Sequence, residues 1–163
     1  AEDGLAKAVF EPSSRDRPLR AVMKYVCDAP DGKTWFQIVT EAEAVQESAL
    51  MHHAVEKFFR QEKERATASY RPTSKTFIEQ EIGLKAHLLQ EMPIFLTLRD
   101  GDGNALATAM LPPLGRDEHN FRSIIVSFEN SDPYAQHGEA IRALGRHFGR
   151  TLDRDRCYPY RRD

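Results

Sequence analysis

Cysteine is nearly missing from this chain. Its 163 residues include two, Cys27 and Cys157, too few for a disulfide framework or a four-cysteine zinc ribbon. A small buried hydrophobe at Cys27 and an exposed thiol at Cys157 are the expectation. Tryptophan occurs once, at Trp35, where core or sheet-edge packing is expected. No apolar run approaches the roughly 20 residues needed to span a bilayer. The net charge of -2 supplies no global attraction to nucleic acid or acidic membranes. A G-x-S-x-G elbow, a P-loop and a strand-following G-x-G-x-x-G are all missing, which removes the commonest hydrolase and nucleotide-binding signatures. Neither a cofactor nor a metal is therefore expected. A cytoplasmic location is the default expectation. The chain begins at Ala1 without methionine, so export stays open if a leader was removed.

What is there is ordinary for a globular protein: 40% apolar and 29% charged residues,. The length fits one domain, since domains most often run roughly 100–150 residues. Residues 1–18, AEDGLAKAVFEPSSRDRP, read as an N-terminal arm, 19–152 as a single α+β domain, and 153–163 as a polar, mobile tail.

Within that domain, the local patterns alternate between the periods of strand and helix. Residues 19–28, LRAVMKYVCD, alternate as a strand, with Ala21, Met23, Tyr25 and Cys27 on one face. Ala29-Pro30-Asp31-Gly32 is a turn, and 33–40 pair back as a hairpin. Residues 41–69 read as one long amphipathic helix. Thr40 and Glu43 form its capping box, and Ala44, Ser48, Met51, Ala54, Val55, Phe58, Phe59 and Ala66 share an arc. No glycine or proline interrupts it.

Residues 77–91, FIEQEIGLKAHLLQE, fit two periods. Ile78, Ile82, Ala86 and Leu89 line a helical face, yet Ile82, Leu84, Ala86 and Leu88 alternate as a strand would. Length and the density of Glu, Gln, Lys, Leu and Ala favour helix, with a second capping box at Thr76 and Glu79. A second hairpin follows, 94–99 and 105–111, joined by Asp100-Gly101-Asp102-Gly103-Asn104. Counted from Asp100, the twelfth residue is Leu111, so this string lacks the glutamate that closes a calcium loop. After a polar loop, 122–128 form a fifth strand and 134–152 a final helix. The sum is a mainly antiparallel sheet of about five strands, two hairpins plus one strand, with two or three helices packed on it.

Three groups of residues carry functional candidates. His52 and His53 are the only adjacent histidines, and on one helix their side chains diverge by about 100°. His52 with Glu56, one turn on, is a candidate for acid–base work. His119 sits among Arg116, Asp117 and Glu118 in a loop and is a third candidate. The last group is a row of arginines at every fourth position of the final helix: Arg142, Arg146, Arg150 and Arg154. The helical wheel sets them opposite Ile141, Leu144, Phe148 and Leu152. Such a stripe can meet an acidic protein surface or phosphates, although Glu139, Asp153 and Asp155 dilute it.

The strand RSIIVSF followed by SDPYAQHGEAIRAL resembles part of the N-acetyltransferase superfamily that uses acetyl-CoA. In that family a helix after an antiparallel meander opens with Q/R-x-x-G-x-G/A. Here the matching stretch is Ala135-x-x-Gly138-x-Ala140, with alanine at the first position. The resemblance implies that Tyr134, Gly138, Ala140 and neighbouring amides would face a pyrophosphate at the helix N-terminus.

With no complete catalytic constellation, the leading expectation is a non-enzymatic protein-interaction module: an adaptor, chaperone-like protein or assembly subunit. Self-association, as a homodimer, is expected through the arm or a sheet edge. The alternatives are an enzyme binding a phosphate-bearing cofactor, of the acetyltransferase kind, and nucleic-acid binding through the arginine stripe. Nucleic acid is the lesser partner expectation, because aromatic residues do not interleave with the basic ones. No membrane partner is expected.

Overall fold

The computed structural model describes residues 23–114 and 123–157. The arm, the loop bearing His119 and residues 158–163 lie outside them. Along the chain come β1 (Lys24–Ala29), β2 (Lys33–Ile38), α1 (Glu41–Met51), α2 (Val55–Ser69), α3 (Phe77–Glu91), β3 (Ile94–Arg99), β4 (Ala105–Leu111), β5 (Ile124–Val126) and α4 (Tyr134–Phe148). Short 3-10 turns follow β5 at Phe128–Asn130 and α4 at Arg154–Arg156. The five strands form one antiparallel sheet in the order β1-β2-β3-β4-β5. This is the α+β fold read from the patterning, with four helices among the described residues.

Both hairpins are built by local turn chemistry. Asp31 and Gly32 both take positive φ (63° and 71°), as a tight hairpin between right-twisted strands requires. In the second, the Asp100 carboxylate accepts from the Asp102 and Asn104 amides, each at 2.9 Å, so the D-G-D-G-N string is a self-bonded turn. The simple alternation expected for the first strand is interrupted, because the register shifts between Tyr25 and Cys27. That irregularity lets both Val26 and Cys27 pack on the core.

Each sheet face carries helices. On one, Trp35, Leu96, Leu98, Ala107, Leu111 and Ile125 meet Ala140, Ile141 and Leu144 of α4. On the other, Ile38 and Phe95 meet Ala44, Val55 and Phe59 of α1 and α2. Central β3 is buried along its whole length, which explains why IFLTLR is apolar at successive positions instead of alternate ones.

Two helix expectations are corrected. Residues 41–69 are two helices, not one. The chain breaks at His52, whose φ of 53° and ψ of 51° are left-handed. Local side-chain bonds span the break: the Glu56 amide donates to Ser48 Oγ at 3.0 Å and the Val55 amide to His53 Nδ1 at 3.4 Å. The last helix also ends at Phe148, short of residue 152. Gly149 takes φ 67°, the chain reverses, and the Arg150 amide donates to Gly145 O at 2.8 Å, a glycine-terminated helix end. Leu152 then folds back into the core. Cys157, expected to be exposed, is fully buried there, while Cys27 is half-buried.

Candidate functional site

The break at His52 converts the histidine pair into two unrelated groups. The His52 ring packs against Phe128 with centroids 4.6 Å apart. Glu56, its expected partner, pairs instead with Arg60 at 3.2 Å. His53 turns inward, and its Nε2 lies 2.8 Å from Thr108 Oγ1 on β4.

There it joins a buried polar network that sequence reasoning missed. Thr108 Oγ1 donates to Glu47 Oε2 at 2.5 Å. Glu47 Oε1 accepts from the Arg99 guanidinium at 2.9 Å. Arg99 also donates to Thr97 Oγ1 at 3.0 Å and Gly103 O at 3.1 Å. Because the Thr108 proton is committed to Glu47, His53 must donate from Nε2 and accept at Nδ1. Burial holds the His53 pKa below its usual range, opposed by the nearby Glu47 charge. Among the described residues, no buried side-chain polar atom lacks a partner. A threonine whose proton is held by a carboxylate, itself neutralised by arginine, locks α1 onto the sheet and is not a poised nucleophile.

Beside this network is a cleft of ≈ 130 Å³ whose walls include His53, Val55, Phe58, Phe95, Met110 and Val126. It is apolar, and it has the size of one side chain. One signal of the network was present in the sequence. Glu47 falls at helical spacing among Ala44, Ser48 and Met51, so an acid sat on an apolar face and needed a partner.

The other candidates converge on α4. Tyr134, Gly138, Arg142, Arg146, Arg150 and Arg154 line a single open groove of ≈ 740 Å³. Most of its cations are committed. Arg142 pairs with Glu139 at 2.5 Å, Arg154 pairs with Asp132, and Arg150 donates to the carbonyls of Pro112 and Pro113 at 2.6 and 3.0 Å. Arg146 has no carboxylate partner among the described residues. Its charge acts on Cys27, whose thiol pKa is pushed up by burial and by Asp28 while Arg146 opposes them.

At the helix N-terminus, the position a pyrophosphate would take holds the Asp132 carboxylate, which accepts from the Tyr134 amide at 2.9 Å. Tyr134 itself donates to Leu152 O at 2.9 Å, and burial raises its pKa, helped by the Cys157 contact. Ala140 is buried, and its carbonyl accepts from Trp35 Nε1 at 2.8 Å. His137 is buried too and accepts at Nδ1 from Lys33 Nζ at 3.1 Å. Burial, with the Lys33 charge, lowers its pKa.

The third feature is α3. It rests on α2 through one flank. The Tyr70 hydroxyl donates to Gln80 O at 3.3 Å and lies over Gly83, where an added Cβ would stand 2.2 Å from it. His87 Nε2 meets Ser69 Oγ at 2.8 Å, and Arg65 donates to Glu91 O at 2.8 Å. The helix buries no residue fully. The row Ile78, Ile82 and Leu89 faces away from the domain, 69%, 63% and 68% exposed, and Phe77 at the start of the helix is 73% exposed.

Among the described residues, no group of three or more His, Cys, Asp or Glu side chains is placed to hold a metal ion. Nor is any described helix long and apolar enough to cross a membrane. Comparison with protein-family models, curated proteins and solved structures returns no match for this chain.

Proposed function

We propose that this protein is a non-enzymatic protein-interaction module, and that it docks a protein partner on the outward face of α3. One observation carries the reading: a helix whose largest apolar side chains point away from its own domain. Isolated exposed hydrophobes are normal, but several large ones aligned on one helix face mark an interaction surface. The polar groups nearest to chemistry agree with a structural role, because His53, Thr108, Glu47 and Arg99 bind one another.

A photo-crosslinking residue placed at Ile82 tests this in intact cells. A discrete adduct of higher mass is expected there, and none from the same residue at Glu64 on α2. Absence of any adduct at position 82 counts against the docking surface.

A further inference from the structure

The outward face of α3 has a more specific pattern than a generic apolar patch. Ile78, Ile82, Lys85 and Leu89 follow one another at spacings of four, three and four residues. That is the seam spacing of a helix that packs along another helix. Glu81 borders the seam beside Lys85; both are exposed, and neither has an ion-pair partner among the described residues.

We infer that the occupant of this face is a second copy of the same chain, with the two α3 helices packed antiparallel about a two-fold axis between residues 83 and 84. This rests on α3 being the docking face. The charges choose both the partner and its direction. In a parallel pair, Lys85 would lie opposite Lys85 and Glu81 opposite Glu81, which is repulsive. In the antiparallel pair, Ile78 meets Leu89 of the second copy. The Lys85 stem covers Ile82 of that copy, and its ammonium reaches Glu81 there. The same set of contacts then occurs twice, as a two-fold interface requires. A lipid surface fits less well, since Glu79, Glu81 and Glu91 outnumber Lys85 on α3 and anionic headgroups attract the opposite sign.

The helix is about 22 Å long, so one helix pair falls short of the roughly 800 Å² per partner of a standard interface. A dimer with a dissociation constant on the order of 10 µM is expected.

Sedimentation analysis of the full chain from about 1 to about 300 µM brackets that value. The wild type should move from monomer to twice the monomer mass. Ile82→Glu, Glu81→Lys and Lys85→Glu should each weaken the dimer at least tenfold, with unchanged far-UV circular dichroism. An equimolar mixture of Glu81→Lys and Lys85→Glu should regain the dimer, because both cross-pairs are then opposite in sign. A wild type that stays monomeric overturns the inference. If a crosslink at Ile82 then captures a different protein, the docking face survives; without a crosslink, both readings fall. A dimer that is indifferent to the charge reversals, or not restored by mixing, overturns the antiparallel arrangement.

Discussion

Glu47 on α1 and Arg99 at the end of β3 form an ion pair at 2.9 Å, with side chains 0% and 5% exposed. Two charges withdrawn from water to this degree cost several kcal/mol to bury, and their attraction repays that only with full hydrogen bonding. Thr108, Thr97 and Gly103 supply it here. Removing one partner strands the other, so Glu47→Leu or Arg99→Met alone should each cost about 3–5 kcal/mol. The double change to Glu47→Leu with Arg99→Met should cost much less than their sum. Urea unfolding of the four proteins, read as a double-mutant cycle, measures this.

His53 gives the fold a defined response to pH. Its pKa is lowered in the folded state, so below the ordinary value near 6.5 the unfolded chain binds a proton that the folded chain does not. The contribution is fully present above that value and is lost as pH falls through it toward the folded pKa. One such group changes stability by at most about 1.4 kcal/mol per pH unit. His53→Gln keeps an N–H donor for Thr108 but cannot titrate. Thermal melts between pH 7.5 and 5.5 should therefore fall less steeply for this variant than for the wild type. Equal slopes would remove His53 as a source.

Two glycines on α4 should respond to alanine with opposite signs. At Gly145 the new Cβ would stand 2.6 Å from the Arg150 carbonyl oxygen. The reversal after Gly149 must then shift, at about 1–3 kcal/mol. At Gly138 nothing lies within 4 Å, and the usual helical advantage of alanine, about 0.5–1 kcal/mol, should appear as added stability. Chemical denaturation followed by circular dichroism distinguishes the two.

Trp35 ties the sheet to α4 by its bond to Ala140 O at 2.8 Å and is itself fully buried. Trp35→Phe should cost about 1–3 kcal/mol from the lost hydrogen bond and the space left behind. Because this is the single tryptophan, its fluorescence in the wild type reports the separation of α4 from the sheet. That transition should coincide with loss of helical circular dichroism if the domain unfolds as one unit.

What could be read from the sequence was what local chemistry decides. The positive φ values at Asp31 and Gly32, the Thr40–Glu43 capping box, now seen with both bonds made, and helix for Phe77–Glu91 all follow from neighbouring residues. At Thr76 only half of the expected box forms, with Thr76 Oγ1 accepting from the Glu79 amide at 3.3 Å. The break at His52 was not readable, because neither glycine nor proline marks it. It is accompanied by bonds to Ser48 and to Thr108, a residue 55 positions from His53. Glu47 was visible as an acid on an apolar arc, but Arg99, 52 residues away, could be assigned to it only through the sheet. Periodicity also showed that α3 has an apolar face without showing its direction. That direction depends on Tyr70 and Gly83 holding the opposite flank.

The way α3 is mounted has a consequence for local opening. In the monomer it leans on α2 and leaves its own seam in solvent, so melting it would expose little new apolar surface. Its amides should exchange with solvent through a sub-global opening, orders of magnitude sooner than those of β3, which is buried on both faces,. α3 is thus a cantilever mounted on α2, which Val55 and Phe59 anchor to the sheet, and its opening would leave the sheet and α4 folded.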